Sequence, residues 1–252
     1  LGALMYGIFA GAEANWTSIL AWMFLTMGIG ALILLIILDE KQIHPLLDLH
    51  IFKKELIILS ALSCAFGGVA STVFMFFDPL YLRILRHLSP FLIGLLIAVI
   101  PSAQVLISLA FDRLVKRFGI ANLLFFSILS AFLAIVLHLE LQLDTPLLFL
   151  IIPFFLLGVN WGLSNAATIT AINEEISPRH IGSALGTIMT IWNIVGSILL
   201  AISTAVFHAS ELRSSFLPAF HTTVYFNIGF GAFILMAAIF LRLHLKRKEH
   251  GQ

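Results

Sequence analysis

Charge is what this 252-residue sequence has least of: Asp, Glu, Lys and Arg make up 11% of it, against about 25% in an ordinary soluble domain. Cysteine is almost missing. Cys64 stands alone inside an apolar run, which excludes an intrachain disulfide and leaves no redox or zinc pattern. The nine histidines lie mostly near the ends of apolar runs, and neither HxxxH nor HExxH occurs, so no helix offers a metal-spaced pair. A Walker loop is missing, so the chain itself does not hydrolyse ATP, and GxSxG and other nucleophile signatures are missing too. No basic region followed by a cleavage site opens the sequence, so no signal peptide is read there. The formal net charge of +1 carries no message about nucleic acid. No catalytic cluster, metal site or cofactor motif is left to read, and an enzyme is not expected.

What the sequence has is apolar length. Hydrophobic residues make up 60% of it, and the mean hydropathy is +1.07. Between Ser18 and Leu241 lie seven runs, at about 18–38, 56–77, 90–111, 121–139, 146–171, 181–207 and 221–241, none with a charge near its middle. A helix rising about 1.5 Å per residue crosses a hydrocarbon core of ~30 Å in ~20 residues, so each run is long enough to span. The fold expected is an all-α, polytopic transmembrane bundle. A shorter apolar stretch, Leu1 to Ala12, precedes them; it reads either as an interfacial helix or, preferably, as the end of a helix that begins further upstream, making the chain a fragment of a longer protein.

Counting that partial helix gives eight crossings, with both chain ends on one side. Lysine and arginine indicate which side: eleven of the fourteen fall in connections on the side of the C-terminus, and only Arg83, Arg86 and Arg213 on the other. By the positive-inside rule the C-terminus is cytoplasmic, in a plasma or bacterial inner membrane. The longest cytoplasmic connection, 39–55, ends in an amphipathic stretch over 44–52 that reads as a short surface helix and as the best internal boundary.

Polar residues within the runs mark candidate positions. Asn160, Ser164 and Thr168 share a face at i, i+4, i+8, while Gly158 and Gly162 form a small-xxx-small packing pair, with Asn165 on the glycine side. In the 181–207 run, Gly182, Gly186, Thr190, Asn193, Ser197 and Thr204 recur on one face, with Gly196 and Ala201 beside it. For Thr190 and Asn193, close helix packing and a water-filled path remain equally open. Pro101, at the centre of the 90–111 run beside Gln104, is expected to kink that helix and free a carbonyl; Pro153 is expected to act similarly. Asp78 is the acid nearest to membrane depth. It reads first as an interfacial aspartate capping the turn that starts at Pro79, and second as a titratable membrane carboxylate. The cluster Phe74, Phe76, Phe77 and Tyr81 reads most simply as lipid-facing.

These segments resemble a known family. "HPLLDLHIFKKE", a span, "DPLYLRILRHLSPFLIGLL", a central proline and "DRLVKRFG" are similar to the major facilitator superfamily, in particular its fourteen-helix drug:proton antiporter branch, and "GVNWGLSNAATITAINEEISPRHIGSALGTIMTIWNIVGSILLAI" fits the same branch. The resemblance covers essentially the whole chain. It implies a major-facilitator-like C-terminal half: residues 1–54 as a truncated helix, a linker helix and the amphipathic connection, 55–243 as a six-helix domain, and 244–252 as a basic cytoplasmic tail. It also implies a missing six-helix N-terminal domain as partner, membrane lipid and a small-molecule substrate as further partners, a proton gradient as energy source and no resident cofactor. Three positions in two segments depart from the family pattern. In the loop motif formed by Asp112, Arg113, Lys116, Arg117 and Gly119, Asp112 stands where a glycine is usual and Lys116 where an acid is usual. In the outer segment, Arg83 replaces a glutamine.

The function expected is therefore part of a secondary active transporter, exporting small organic or drug-like molecules by proton-coupled alternating access. Gln104, Asn160, Ser164, Thr190 and Asn193 are the candidate substrate-path residues, on helices that start near Leu56, Pro90, Pro146 and Ile181. The alternative is a degenerate half-transporter acting as a structural or regulatory membrane subunit.

Overall fold

The computed structural model describes residues 2–13, 17–39 and 49–250. Among them the chain is a succession of helices: α1 (Gly2–Glu13), α2 (Ile19–Asp39), α3 (Glu55–Thr72), α4 (Asp78–Ile84), α5 (Pro90–Ile97), α6 (Val99–Phe118), α7 (Ile120–Leu137), α8 (Leu147–Glu175), α9 (Ile181–Glu211) and α10 (Phe216–His250). Six helical stretches are long and apolar enough to cross a membrane, starting at Glu55, Pro90, Ile120, Leu147, Pro178 and Phe216. The expected run at 18–38 coincides with the 21-residue α2, and the short N-terminal stretch with α1. Residues 44–48 of the expected amphipathic connection lie outside the described residues. Leu49–Lys53 forms a 3-10 turn with Ile51 buried.

α3 is the hub. It packs against α7, α8, α9 and α10, while α8 joins α6 and α7 and α1 lies against both α2 and α9. A helix surrounded on all sides must be apolar all round, and Ile57, Leu59, Phe66, Val69, Ala70 and Phe74 on successive faces of this segment are fully buried. Such packing needs close approach. A Cβ on Gly158 would fall 2.3 Å from the Ile100 carbonyl oxygen, and one on Gly68 would fall 2.6 Å from the Trp192 carbonyl oxygen. These two glycines let α8 and α6, and α3 and α9, bring their backbones together.

Several helix ends differ from expectation. α6 continues to Phe118, so Asp112, Arg113, Lys116 and Arg117 occupy its exposed last turns instead of a loop. Only Gly119, at φ +76°, separates it from α7. Basic side chains at a helix C-terminus complement the partial negative charge there, which favours continuing the helix to that point. The break near Pro101 falls at Ala98, because the proline offers no N–H to the Ile97 carbonyl and its ring crowds it. The freed carbonyl is thus well over a turn from Gln104. Pro153, by contrast, leaves α8 continuous.

The aromatic cluster is also placed differently. Phe74, Phe77 and Tyr81 are buried inside the bundle, and only Phe76 is exposed. Between α3 and α4 the chain passes through a π-helical turn, Val73–Phe77, so Asp78, where a cap was expected, lies inside one continuous helical stretch running from Glu55 to Ile84.

Candidate functional site

α3, α6, α8 and α9 enclose a cavity of about 310 Å³, lined by Cys64, Gly67, Gln104, Asn160, Trp161, Ser164, Asn165, Met189 and Trp192. None of these side chains carries a fixed charge. Three of the five residues singled out from sequence as path candidates, Gln104, Asn160 and Ser164, meet here from two different helices. The sequence pattern also pointed to the glycine side of α8, and the structure gives its reason: Gly158 and Gly162 lie against the α6 backbone at Ile100 and Gln104, which brings Gln104 into the same space.

The wall behind the cavity is a polar seam. Ser63 of α3 donates to Ser164 Oγ at 2.8 Å and touches Ser127 Oγ of α7. Asn160 Nδ2 donates to the Ser127 carbonyl at 3.0 Å. Cys64 Sγ lies 3.5 Å from both Ser164 Oγ and Thr168 Oγ1. The i, i+4, i+8 face of α8 is thereby buried and bonded across helices, as hydroxyl and amide groups within an apolar bundle require. Two polar atoms in the lining stay without a protein partner: the acceptor Asn160 Oδ1 and the donor Trp161 Nε1. Buried polar groups are almost always hydrogen-bonded; both atoms are sealed from water in this packing, so a partner reaches them only where the lining side chains shift.

Thr190 and Asn193 lie apart from this space. Thr190 is half-buried and lines neither this cavity nor the next. Asn193 is exposed, its Nδ2 donates to the Met189 carbonyl of its own helix at 2.8 Å, and it lines a second cavity of about 320 Å³ with Gly68, Ser71, Met75, Phe76, Trp192, Gly196, Ser197 and Leu200. The helix contact on this side runs through Gly196 and Gly68, while Gly182 faces open space. Trp192 lines both cavities. Sequence reading passed over it, along with Cys64 and Gly67; a tryptophan beside a small-and-polar stripe was the available signal.

Asp78, the first residue of α4, is fully buried, with Oδ2 3.1 Å from Nε2 of His138, which follows the last residue of α7. In place of an interfacial cap, Asp78 opens α4 from within the bundle: the helix has no side-chain cap, and the carboxylate's partner is 60 residues away. At the opposite end of the bundle, partly exposed pairs join Lys54 to Glu175 at 3.1 Å and His244 to Glu55 at 3.5 Å.

Fold and site together define a class: an integral membrane protein, a helical bundle with a neutral, polar-and-aromatic cavity between four of its helices. The major facilitator superfamily describes it more closely. The family model matches residues 1–201, and the chain belongs to that family. Among curated proteins it is 27% identical over 196 residues to the riboflavin transporter RibZ of Clostridioides difficile (strain 630), covering 75% of this chain and 41% of that one. It is 26% identical over 250 residues to the methylenomycin A resistance protein of Bacillus subtilis (strain 168), covering 95% and 49%. The chain thus spans less than half the length of either relative. Among solved structures, the nucleoside transporter NupG superposes with a TM-score of 0.61 at 18% identity, covering 95% of this chain and 65% of that one. At that identity the likeness is one of fold.

Proposed function

We propose that the chain is the C-terminal portion of a secondary transporter of the drug:proton antiporter branch, which exports a small, uncharged organic molecule by alternating access. In this reading residues 1–54 are linker helices and connection, 55–243 form the C-terminal domain, and a six-helix N-terminal domain supplies the other half of the substrate path. The C-terminus and the ends of the helices at Glu55 and Glu175 face the cytoplasm, in keeping with the lysine and arginine bias.

The observation that carries the reading is the cavity between α3, α6, α8 and α9, with an unpartnered acceptor at Asn160 and an unpartnered donor at Trp161. A neutral lining with two tryptophans favours a flat molecule that stacks on an indole and offers both a donor and an acceptor on its edge. The two relatives, one named for riboflavin and one for resistance to methylenomycin A, support small organic substrates and weigh against a silent structural subunit. Within the cavity, Gln104, Asn160 and Ser164 are the substrate-facing residues; Asn193 belongs to its neighbouring compartment.

The test is efflux. Cells expressing the complete transporter and cells lacking it are loaded with a panel of small organic compounds that includes neutral heteroaromatics, riboflavin among them, and methylenomycin A. Faster loss of at least one compound from the expressing cells, abolished by dissipating the proton gradient, is the expected result. Equal retention of every compound would sink the reading.

A further inference from the structure

The cavity leaves one buried ionisable cluster unused. Asp78 and His138 are both fully enclosed at the end of the bundle away from Glu55, in segments long and apolar enough to span. Ionisable groups at such positions are costly to keep, and a functional role is the first hypothesis to raise for them.

Their hydrogen bonds fix the proton count. His138 Nδ1 lies 2.7 Å from the Ala134 carbonyl, which can only accept, so Nδ1 carries a hydrogen. The other ring nitrogen, Nε2, faces Asp78 Oδ2 at 3.1 Å. That contact is a hydrogen bond only if one proton lies between the two atoms. Whether written as imidazolium and carboxylate or as imidazole and carboxylic acid, the pair is then neutral as a whole, and its titration belongs to the pair. Removing the proton would set a nitrogen lone pair against a carboxylate and leave an uncompensated negative charge. Adding another would place it on Oδ1, which has no hydrogen-bond partner. Closed, the site therefore holds one proton and exchanges none.

The surroundings keep it closed. The Phe74 ring meets the imidazole edge-on at 4.4 Å, and Phe220 of α10 lies at 6.3 Å. Phe154 of α8 backs Phe74, and Phe207 of α9 backs Phe77. The other titratable or charged groups at this end are engaged elsewhere, exposed or half-buried. Arg83 donates to the Leu88 carbonyl, and His87 and Asp144 are exposed. Tyr81 donates to the Gln142 carbonyl, Arg86 to the Thr145 carbonyl, and His221 to the Leu141 carbonyl. Glu140, Glu211 and Arg213 are exposed, and His208 is half-buried. The turn that presents Asp78 is the π-helical one, Val73–Phe77. Such turns store one extra residue, and relaxing one to α-helix rotates the downstream segment by about 100° relative to the upstream one. That motion would part Asp78 from His138 without unfolding either helix.

We propose that Asp78 and His138 form a proton-binding site of the transporter, loaded while this end of the bundle is packed and able to exchange with water only when the end opens. On opening, the shared proton passes to water, leaving an aspartate carboxylate and a neutral imidazole with Nε2 free; the reverse step recharges the pair. The proposal rests on the transport reading above, and its test separates the two.

Asp78→Asn is the central variant, because an amide N–H can donate to Nε2 and keep the packing while removing the mobile proton. The complete transporter is purified and reconstituted with radiolabelled riboflavin as the first probe. Two transport modes are measured: gradient-driven accumulation and exchange counterflow, which needs no net proton movement. Proton binding itself is read by infrared difference spectra of the carboxyl stretch between acidic and alkaline pH. The variant should lose one pH-dependent carboxyl band and fall by about tenfold or more in driven accumulation, while counterflow stays within about twofold of the parent. His138→Gln, which still offers a donor to Oδ2, should show the same split and serves if the first variant does not fold. Driven accumulation at the parental rate in either variant would overturn the proposal, as would a carboxyl band that survives Asp78→Asn. Absence of counterflow by the parent with every compound of the efflux panel would count against the transport reading, and the infrared result would then decide the proton site by itself.

Discussion

The polar faces of α8 and α9 look alike in sequence and differ in structure. Both carry amide and hydroxyl residues at helical spacing. On α8, Asn160, Ser164 and Thr168 are buried and reach Ser127 of α7 and Ser63 and Cys64 of α3. On α9, Asn193 and Thr204 donate back to carbonyls of their own helix, Met189 and Leu200. The polar contacts of α9 with another helix include Ser203, which accepts from Asn227 of α10 at 3.0 Å and lies off the expected face, and Ser210, which donates to Thr222 of α10 at 3.3 Å. A polar stripe thus tells that a helix has somewhere to put polar groups. Whether that place is a neighbouring helix or open space depends on what lies opposite.

The sharpest way to break this contrast is at the glycines that set α8 against its neighbour. Gly158→Leu should cost about 3 kcal/mol or more, because the new side chain starts inside contact distance of the Ile100 backbone and the helices must separate. Thermal denaturation in detergent should show it as a large loss of folded protein, whereas Gly182→Leu, in open space, should behave as the parent does. An equal loss from both would mean that the α6–α8 approach is not what the glycine serves.

A smaller effect separates the asparagines. Asn160→Leu removes the bond to Ser127, worth on the order of ~0.6 kcal/mol and up to ~2, and also removes the acceptor in the cavity. Stability should fall modestly and substrate preference should change. Asn193→Leu breaks no bond between helices, so melting should move by no more than about 0.5 kcal/mol, with any transport effect confined to compounds that occupy the second cavity. If the two variants destabilise equally, the distinction between the faces is wrong. A comparably small effect is expected at the partly exposed Lys54–Glu175 pair: Lys54→Ala should change stability by about 0–1 kcal/mol and less still at high salt.

Much of the architecture was legible along the chain because a bilayer imposes a length. Every expected run has its helix, and the order of the helices follows the order of the runs. Helix ends were less legible: the last turns of α6 and the passage from α3 into α4 are polar or Pro-containing, yet remain helical, the first with basic side chains that complement the helix end and the second carried through by a π-helical turn. The site was half legible. Gln104, Asn160 and Ser164 were marked by polarity in apolar surroundings, while Trp192, Cys64 and Gly67 looked like ordinary apolar or small residues. His138 carried no mark, since its meaning comes entirely from Asp78.

By itself the sequence determined the all-helical membrane character, the succession of spans and the absence of charge from their centres. These depend on one-dimensional quantities: apolar length, helical period and the cost of charge in hydrocarbon. The tertiary structure alone decided which polar groups bond across helices, which face a cavity, and that an aspartate and a histidine 60 residues apart meet at 3.1 Å. Those depend on the rotation and distance of one helix against another, which close packing at a few glycines sets and a single chain's periodicity leaves free.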